Sequence, residues 1–191
     1  MNPDLVYITA DLHLGHKNII KMQPRPYDDI DHMNAELINK INSLPEGAHL
    51  FHVGDFIWSS KKGFWELFNR ISPHVSLHFV FGNHDSHNMT KMQEELLERP
   101  NVIELRDYKN LKHRDGRIIL FHYPILVWDQ RYRGNIHFHG HCHNNCQYPK
   151  GAGRIADVGI DCSGYEIKTL DYWVNHINKK HSDIGIQWDH H

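Results

Sequence analysis

Five short clusters of aspartate, histidine and asparagine hold the side chains of this sequence that could do chemistry. They are Asp11-Leu12-His13, Gly54-Asp55, Gly82-Asn83-His84-Asp85, His122 and Gly140-His141-Cys142-His143. Between them they offer carboxylate, imidazole and amide oxygen, a mixed donor set that suits manganese, iron, zinc or nickel. Such a set is too large for one tetrahedral zinc and matches two metals that share a bridging carboxylate. The Asp-x-His and His-x-His spacings let residues i and i+2 face the same side of a chain that is still extended or turning beyond the strand end. Glycine before Asp55, Asn83 and His141 permits tight turns and close backbone approach. The chain has 19 histidines, and imidazole is a frequent ligand of divalent metals.

These clusters need elements that bring them together, and the apolar pattern supplies them. Leu5 to Thr9 reads as a buried strand that ends at Ala10-Asp11, His49 to Val53 as one that ends at Gly54-Asp55, and Val75 to Phe81 as one that ends at Gly82 to Asp85. Asp28 to Leu44 has helical spacing (Ile30, Met33, Leu37, Ile41) and stops at Pro45 and Gly47. Lys61 to Ile71 and Thr90 to Glu98 read as further helices. In the second half, Tyr108 to His113 and Arg117 to Phe121 flank Asp115-Gly116, a hairpin turn signal. Ile136 to Phe138 and Ile155 to Ile160 are short strands, and Thr169 to Lys180 closes as a helix. The alternation predicts one α/β domain spanning residues 1–191. In open α/β sheets ligands bind beyond the carboxyl ends of strands, so the strand-end clusters are expected to converge on one site.

Composition narrows the function. A formal net charge of -2 gives no global attraction to nucleic acid or anionic membrane, and lowers the expectation of long duplex substrates. Three cysteines, an odd number, suggest no disulfide framework and a reducing compartment. The first residues lack the pattern of a secretory signal, and no apolar run reaches the roughly 20 residues of a membrane span. A cytoplasmic location is therefore expected.

The five clusters, in this order, resemble the motifs of the calcineurin-like metallophosphoesterase superfamily: Asp-x-His, Gly-Asp, Gly-Asn-His-Asp, His and Gly-His-x-His. The match runs from Asp11 to His143, and the segment from Asp11 to Ile20 is similar to a small single-domain bacterial and phage branch. The resemblance implies a four-layer α/β sandwich with two mixed β-sheets flanked by helices. It implies two divalent ions, manganese first, with iron, zinc or nickel as alternatives. One would sit on Asp11, His13, Asp55 and His143, the other on Asp55, Asn83, His122 and His141, with Asp55 bridging. His84 would contact the phosphate and protonate the leaving oxygen, the rival reading being a metal ligand, and Asp85 would orient His84. The implied reaction is hydrolysis of a phosphate ester by a hydroxide that bridges the metals.

Other residues carry readings of their own. His16 is expected to contact the phosphate or to hold its loop. Arg25, in Pro24-Arg25-Pro26-Tyr27, either grips a substrate anion or lies on the surface; guanidinium pairs well with phosphate. Arg131, Tyr132 and Arg133 read as an exposed loop or as a grip on a nucleotide, Arg133 on its phosphate. Asp161 reads as structural, and Trp58 as core or pocket wall. Cys142 and Cys146 fall short of a closed zinc site, and Cys142 reads as a small spacer between ligands. Specificity is expected in the loops 15–29, 58–62, 87–91 and 128–135. The favoured substrate is a phosphodiester of a nucleotide or small organic compound. The alternatives are a phosphomonoesterase, pyrophosphohydrolase or nuclease with the same site, a non-catalytic metal-site scaffold, or metal storage.

Overall fold

The computed structural model describes residues 2–85 and 89–182. The first strand, β1 (Val6–Thr9), is followed by the short helix α1 (Ile19–Met22) and by α2 (Ile30–Asn42). Asp29 caps α2, its carboxylate accepting from the His32 N–H at 2.8 Å. Strand β2 (His49–Val53) leads to α3 (Lys61–Phe68), capped by the Ser60 hydroxyl. Strand β3 (Ser76–Val80), helix α4 (Gln93–Leu97) and strand β4 (Val102–Arg106) complete the first half. The second half holds β5 (Lys109–His113), β6 (Gly116–Leu120), β7 (Ile136–His139), β8 (Ile155–Asp157), β9 (Lys168–Thr169) and α5 (Leu170–Ser182).

Both sheets are mixed. The first has the order β4-β3-β2-β1-β9, its first four strands parallel and β9 antiparallel to β1. The second has the order β5-β6-β7-β8, with β6, β7 and β8 parallel and β5 joined to β6 as a hairpin. The alternation of side chains along each strand divides the core. Leu50, Leu77 and Phe79 face α2 and α3, where they meet Met33, Leu37, Ile41 and Phe64. Val6, Ile8, Phe51 and Val53 face the other way, into the space between the sheets. There they meet Ile118, Leu120, Ile136 and Phe138, with Trp173 and Val174 of α5. The outer face of the second sheet carries a small cluster of Ile119, Trp128, Ala152 and Ile155. The chain thus has two mixed sheets flanked by helices.

The elements differ from the sequence reading in places. Strand β4 and the two-residue β9 were not expected. Helix α3 ends at Phe68 rather than Ile71 because i→i+3 bonds (Arg70 N–H to Leu67 O, Ile71 N–H to Phe68 O) tighten its last turn. Strand β8 stops at Asp157. Its chain then crosses between sheets, the Ile160 N–H donating to Ala10 O at 3.0 Å and Gly159 bridging to Ala10. That crossing ties the two sheets together directly beneath Asp11. Residues 87 and 88 of the 87–91 loop, and His190 and His191, lie outside the described residues. No helix among the described residues is long and apolar enough to cross a membrane.

Candidate metal centre

The clusters leave the carboxyl ends of β1, β2, β3, β6 and β7 and meet across the gap between the sheets. Sharp turns at the strand ends make this possible. Asp11, His13, Asp55, His141 and His143 all have positive φ, between 47° and 70°, a region non-glycine residues rarely enter. Backbone strain of this kind costs of order 1–3 kcal/mol per residue and gathers at functional sites. The turns lock to one another: Asp11 N–H donates to Gly54 O at 2.9 Å and His13 N–H to Asp55 O at 3.0 Å. Gly54, at φ +91°, lies so close that a Cβ there would stand 2.1 Å from His122 Nδ1. At Gly140 a Cβ would stand 2.6 Å from the Asp11 carboxylate.

The side chains form two overlapping groups. Ligand atoms of Asp11, His13 and His143 lie within 4.8 Å of one another, and so do those of Asp11, Asp55 and His122. Asn83 and His141 join the second group, since Asn83 Oδ1 is 3.0 Å from His122 Nε2 and 3.0 Å from His141 Nδ1. Asp55 is central: its Oδ2 lies 3.6 Å from His13 Nε2, 3.5 Å from His122 Nε2 and 3.8 Å from His84 Nε2. His122 Nδ1 donates to Val53 O at 2.9 Å, which leaves Nε2 for the centre.

Burial is the largest influence on the charges of these donors. Burial pushes the Asp11 carboxyl up to about 7, against the pull of His122 and His143. Burial works against a charged His122 as well, yet its hydrogen bond to Asp55 and the charges of Asp55 and Asp11 lift it to about 9. His13 is the plainest test of fit. Burial pulls its imidazole down to about 2, so it stays neutral, and both its ring nitrogens are buried without a hydrogen-bond partner. Buried polar atoms are normally satisfied; a divalent ion would satisfy this one. The donor set therefore fits the two metals that the motifs imply.

Around the centre, the sequence expectations divide. His84 stands at the mouth, its ring edge-on to Trp58 at 4.2 Å and its backbone N–H donating to Asp55 Oδ1 at 2.9 Å. His16 lies beside it, stacked on Trp58 at 5.1 Å, its Nδ1 buried without a partner. Trp58 is thus pocket wall, and 44% exposed. Tyr123, which the sequence reading passed over, stands on the other flank, 4.8 Å from His141.

Three expectations are corrected. Arg25 neither grips substrate nor lies on the surface. Its buried guanidinium donates to Leu12 O, Asp11 O and both carboxylate oxygens of Asp161. Asp85 does not orient His84. Its described partners are the backbone N–H groups of Asp55 (2.6 Å), Phe56 (2.9 Å) and Gly82 (2.9 Å), so it sets the turns that present Asp55 and Asn83. Arg133 sits before β7, where Asn135 bonds the start of β6 through the Arg117 N–H. Because β6 and β7 run parallel, it is a strand length, about 13 Å, from the ends that carry His122 and His141.

Asp161, which reads from the sequence as structural, stands against one of the candidate ligands. Its Oδ2 accepts from His143 Nδ1 at 2.7 Å while Arg25 holds the same carboxylate at 2.8 Å. A carboxylate behind a metal-binding histidine fixes its tautomer, and losing it typically lowers metal affinity 10–100-fold. An Asp161→Asn variant is expected to bind manganese roughly 10–100-fold more weakly while regaining turnover at high manganese, as a metal titration of activity would show. The available signal was position: Asp161 follows β8 as the other clusters follow their strands.

No family model matches the chain. An uncharacterized protein of Methanocaldococcus jannaschii is 29% identical over 181 residues, 91% of this chain and 92% of the relative. The gene 66 protein of Mycobacterium phage L5 is 26% identical over 207 residues, covering 94% and 97%. A protein of unknown function from Aquifex aeolicus, whose structure is solved, superposes with a TM-score of 0.65 at 23% identity, over 91% of this chain and 97% of that one. It shares the fold.

Proposed function

We propose that this chain, whose motif order resembles that of the calcineurin-like metallophosphoesterases, is a dinuclear metal-dependent phosphodiesterase acting on a nucleotide or small organic diester. The observation that carries this reading is the convergence of seven donor side chains around Asp55, with the imidazole of His13 buried and unpartnered among them. Asp11, His13, Asp55 and His143 would hold one ion, and Asp55, Asn83, His122 and His141 the other. Bound divalent ions would supply Lewis-acid charge and lower the pKa of water at the site.

The chain's own residues do the rest. His84, half-buried at the mouth, is placed to give a proton to the leaving oxygen. His16 lies on the same side, its buried Nδ1 free to meet a phosphate oxygen. Trp58 and Tyr123, both partly exposed, stand on either flank of the donors, so a flat or apolar group can pack against each side of a phosphate. That arrangement supports a diester over a monoester, which has one such group.

Metal-stripped protein is expected to regain hydrolysis of bis(p-nitrophenyl) phosphate on addition of manganese, at a higher kcat/KM than for p-nitrophenyl phosphate. A ratio favouring the monoester would make it a phosphomonoesterase. Silence toward both esters with manganese, nickel, iron and zinc would favour a scaffold that binds metal without chemistry.

A further inference from the structure

All three cysteines of the chain, Cys142, Cys146 and Cys162, are free thiols, and the fold gathers them at one place. Cys142 follows β7 and Cys162 follows β8, and Cys146 and Cys162 line one cavity with Asp157. Ligand atoms of His139, Cys142 and Asp157 lie within 4.8 Å of one another. His139 and Asp157 are buried and oriented from behind. His139 Nδ1 donates to Gly140 O at 2.6 Å, leaving Nε2 as the acceptor nitrogen; the Tyr148 hydroxyl, 2.6 Å away, donates to Nε2 in the free chain and would yield that place to the ion. Asp157 accepts from the Gly159 N–H at 2.8 Å and the Asn144 N–H at 3.2 Å. Such outer hydrogen bonds fix the direction of metal ligands.

We propose that His139, Cys142 and Asp157, completed by one of the neighbouring thiols of Cys146 and Cys162 as the fourth ligand, form a third metal site, separate from the centre around Asp55, that takes a zinc ion. Sulfur donors select zinc over manganese or magnesium, and mixed sulfur and nitrogen ligation is characteristic of structural zinc. On binding, each thiol that becomes a ligand loses its proton to solvent as its sulfur–metal bond forms. A cavity of about 440 Å³, lined in part by Cys146, Tyr148, Asp157 and Cys162, gives the ion a way in. The site would clamp the turn after β7 to β8. That turn carries His141 and His143 in left-handed conformations, so a structural ion would hold the catalytic ligands in place without joining the reaction.

Cobalt replaces zinc and reports its ligands. The full chain, reduced and metal-stripped, is titrated with Co²⁺ and followed in the near ultraviolet, where only thiolate ligation gives an intense charge-transfer band. The expected result is a band equivalent to one thiolate-bound cobalt per chain, bleached by one equivalent of zinc. It should remain in Asp55→Asn and weaken in one of Cys146→Ser and Cys162→Ser. If the wild-type chain, with three thiols reactive toward Ellman's reagent, gives no such band, the proposal is wrong, whatever the variants do. A band unchanged in both serine variants would also overturn it.

Discussion

An Asp55→Asn variant is expected to lose metal-dependent hydrolysis by about 10²–10³-fold, the scale seen when a group that stabilises transition-state charge is removed. The substitution is nearly isosteric. It keeps the Oδ1 atom that accepts from the His84 backbone N–H, and it keeps the backbone bonds from His13 and to Asp85. What it removes is a buried negative charge within 4 Å of three imidazoles. That charge holds His122 well above its ordinary value. The Asp55 carboxyl is itself held below the usual range, because the hydrogen bond and charge of His122 outweigh the effect of burial. With an amide in its place, neither donor group keeps its shared anion, and both ions should bind more weakly. The check is kcat/KM alongside metal content at fixed free manganese, with circular dichroism to show that the fold survives. An Asp55→Asn protein that keeps both ions and most of its activity would remove Asp55 from the centre.

The second large effect is expected at His84, and it depends on the leaving group. A His84→Ala variant should lose about 10²–10⁴-fold in kcat on a diester whose leaving alkoxide needs a proton. It should lose much less on bis(p-nitrophenyl) phosphate, because p-nitrophenolate departs without protonation. Metal content should not change, since His84 lies outside the two donor groups. The pH profile carries the sign. An acid must be protonated, so the wild-type rate on the poor leaving group falls as pH rises through the pKa of His84. Burial lowers that pKa in the free chain, partly offset by Asp55, and an anionic phosphate at the mouth would raise it. The alkaline limb should vanish in His84→Ala. Equal losses on both substrates, accompanied by loss of a metal, would instead make His84 a ligand.

The donor clusters were legible because each is a polar break immediately after an apolar strand, and strand ends are local features. Parallel pairing then brings those ends to one edge, so the order of motifs along the chain maps onto a place in space. The same locality explains what was missed. Strand β4 is an edge strand whose Glu104 is partnered by His78 and Lys109, so its polar residues hide the strand pattern. Arg25 reads alike whether exposed or buried, because the Asp161 that makes it internal is 136 residues away. Asp85 adjoins His84 in sequence, but its partners are backbone N–H groups from another turn, which no side-chain pattern displays. Arg133 depends on which end of the second sheet its connection reaches, and that follows from the parallel pairing of β6 with β7.

The most direct test of the dinuclear centre is equilibrium dialysis of the metal-stripped, reduced chain against manganese. Manganese prefers oxygen and nitrogen donors, so the thiol cluster does not confuse the count. Two ions per wild-type chain, falling to one or none in Asp55→Asn, is the predicted result. A wild-type chain that saturates at a single manganese, or binds none, would contradict a two-metal site built around Asp55.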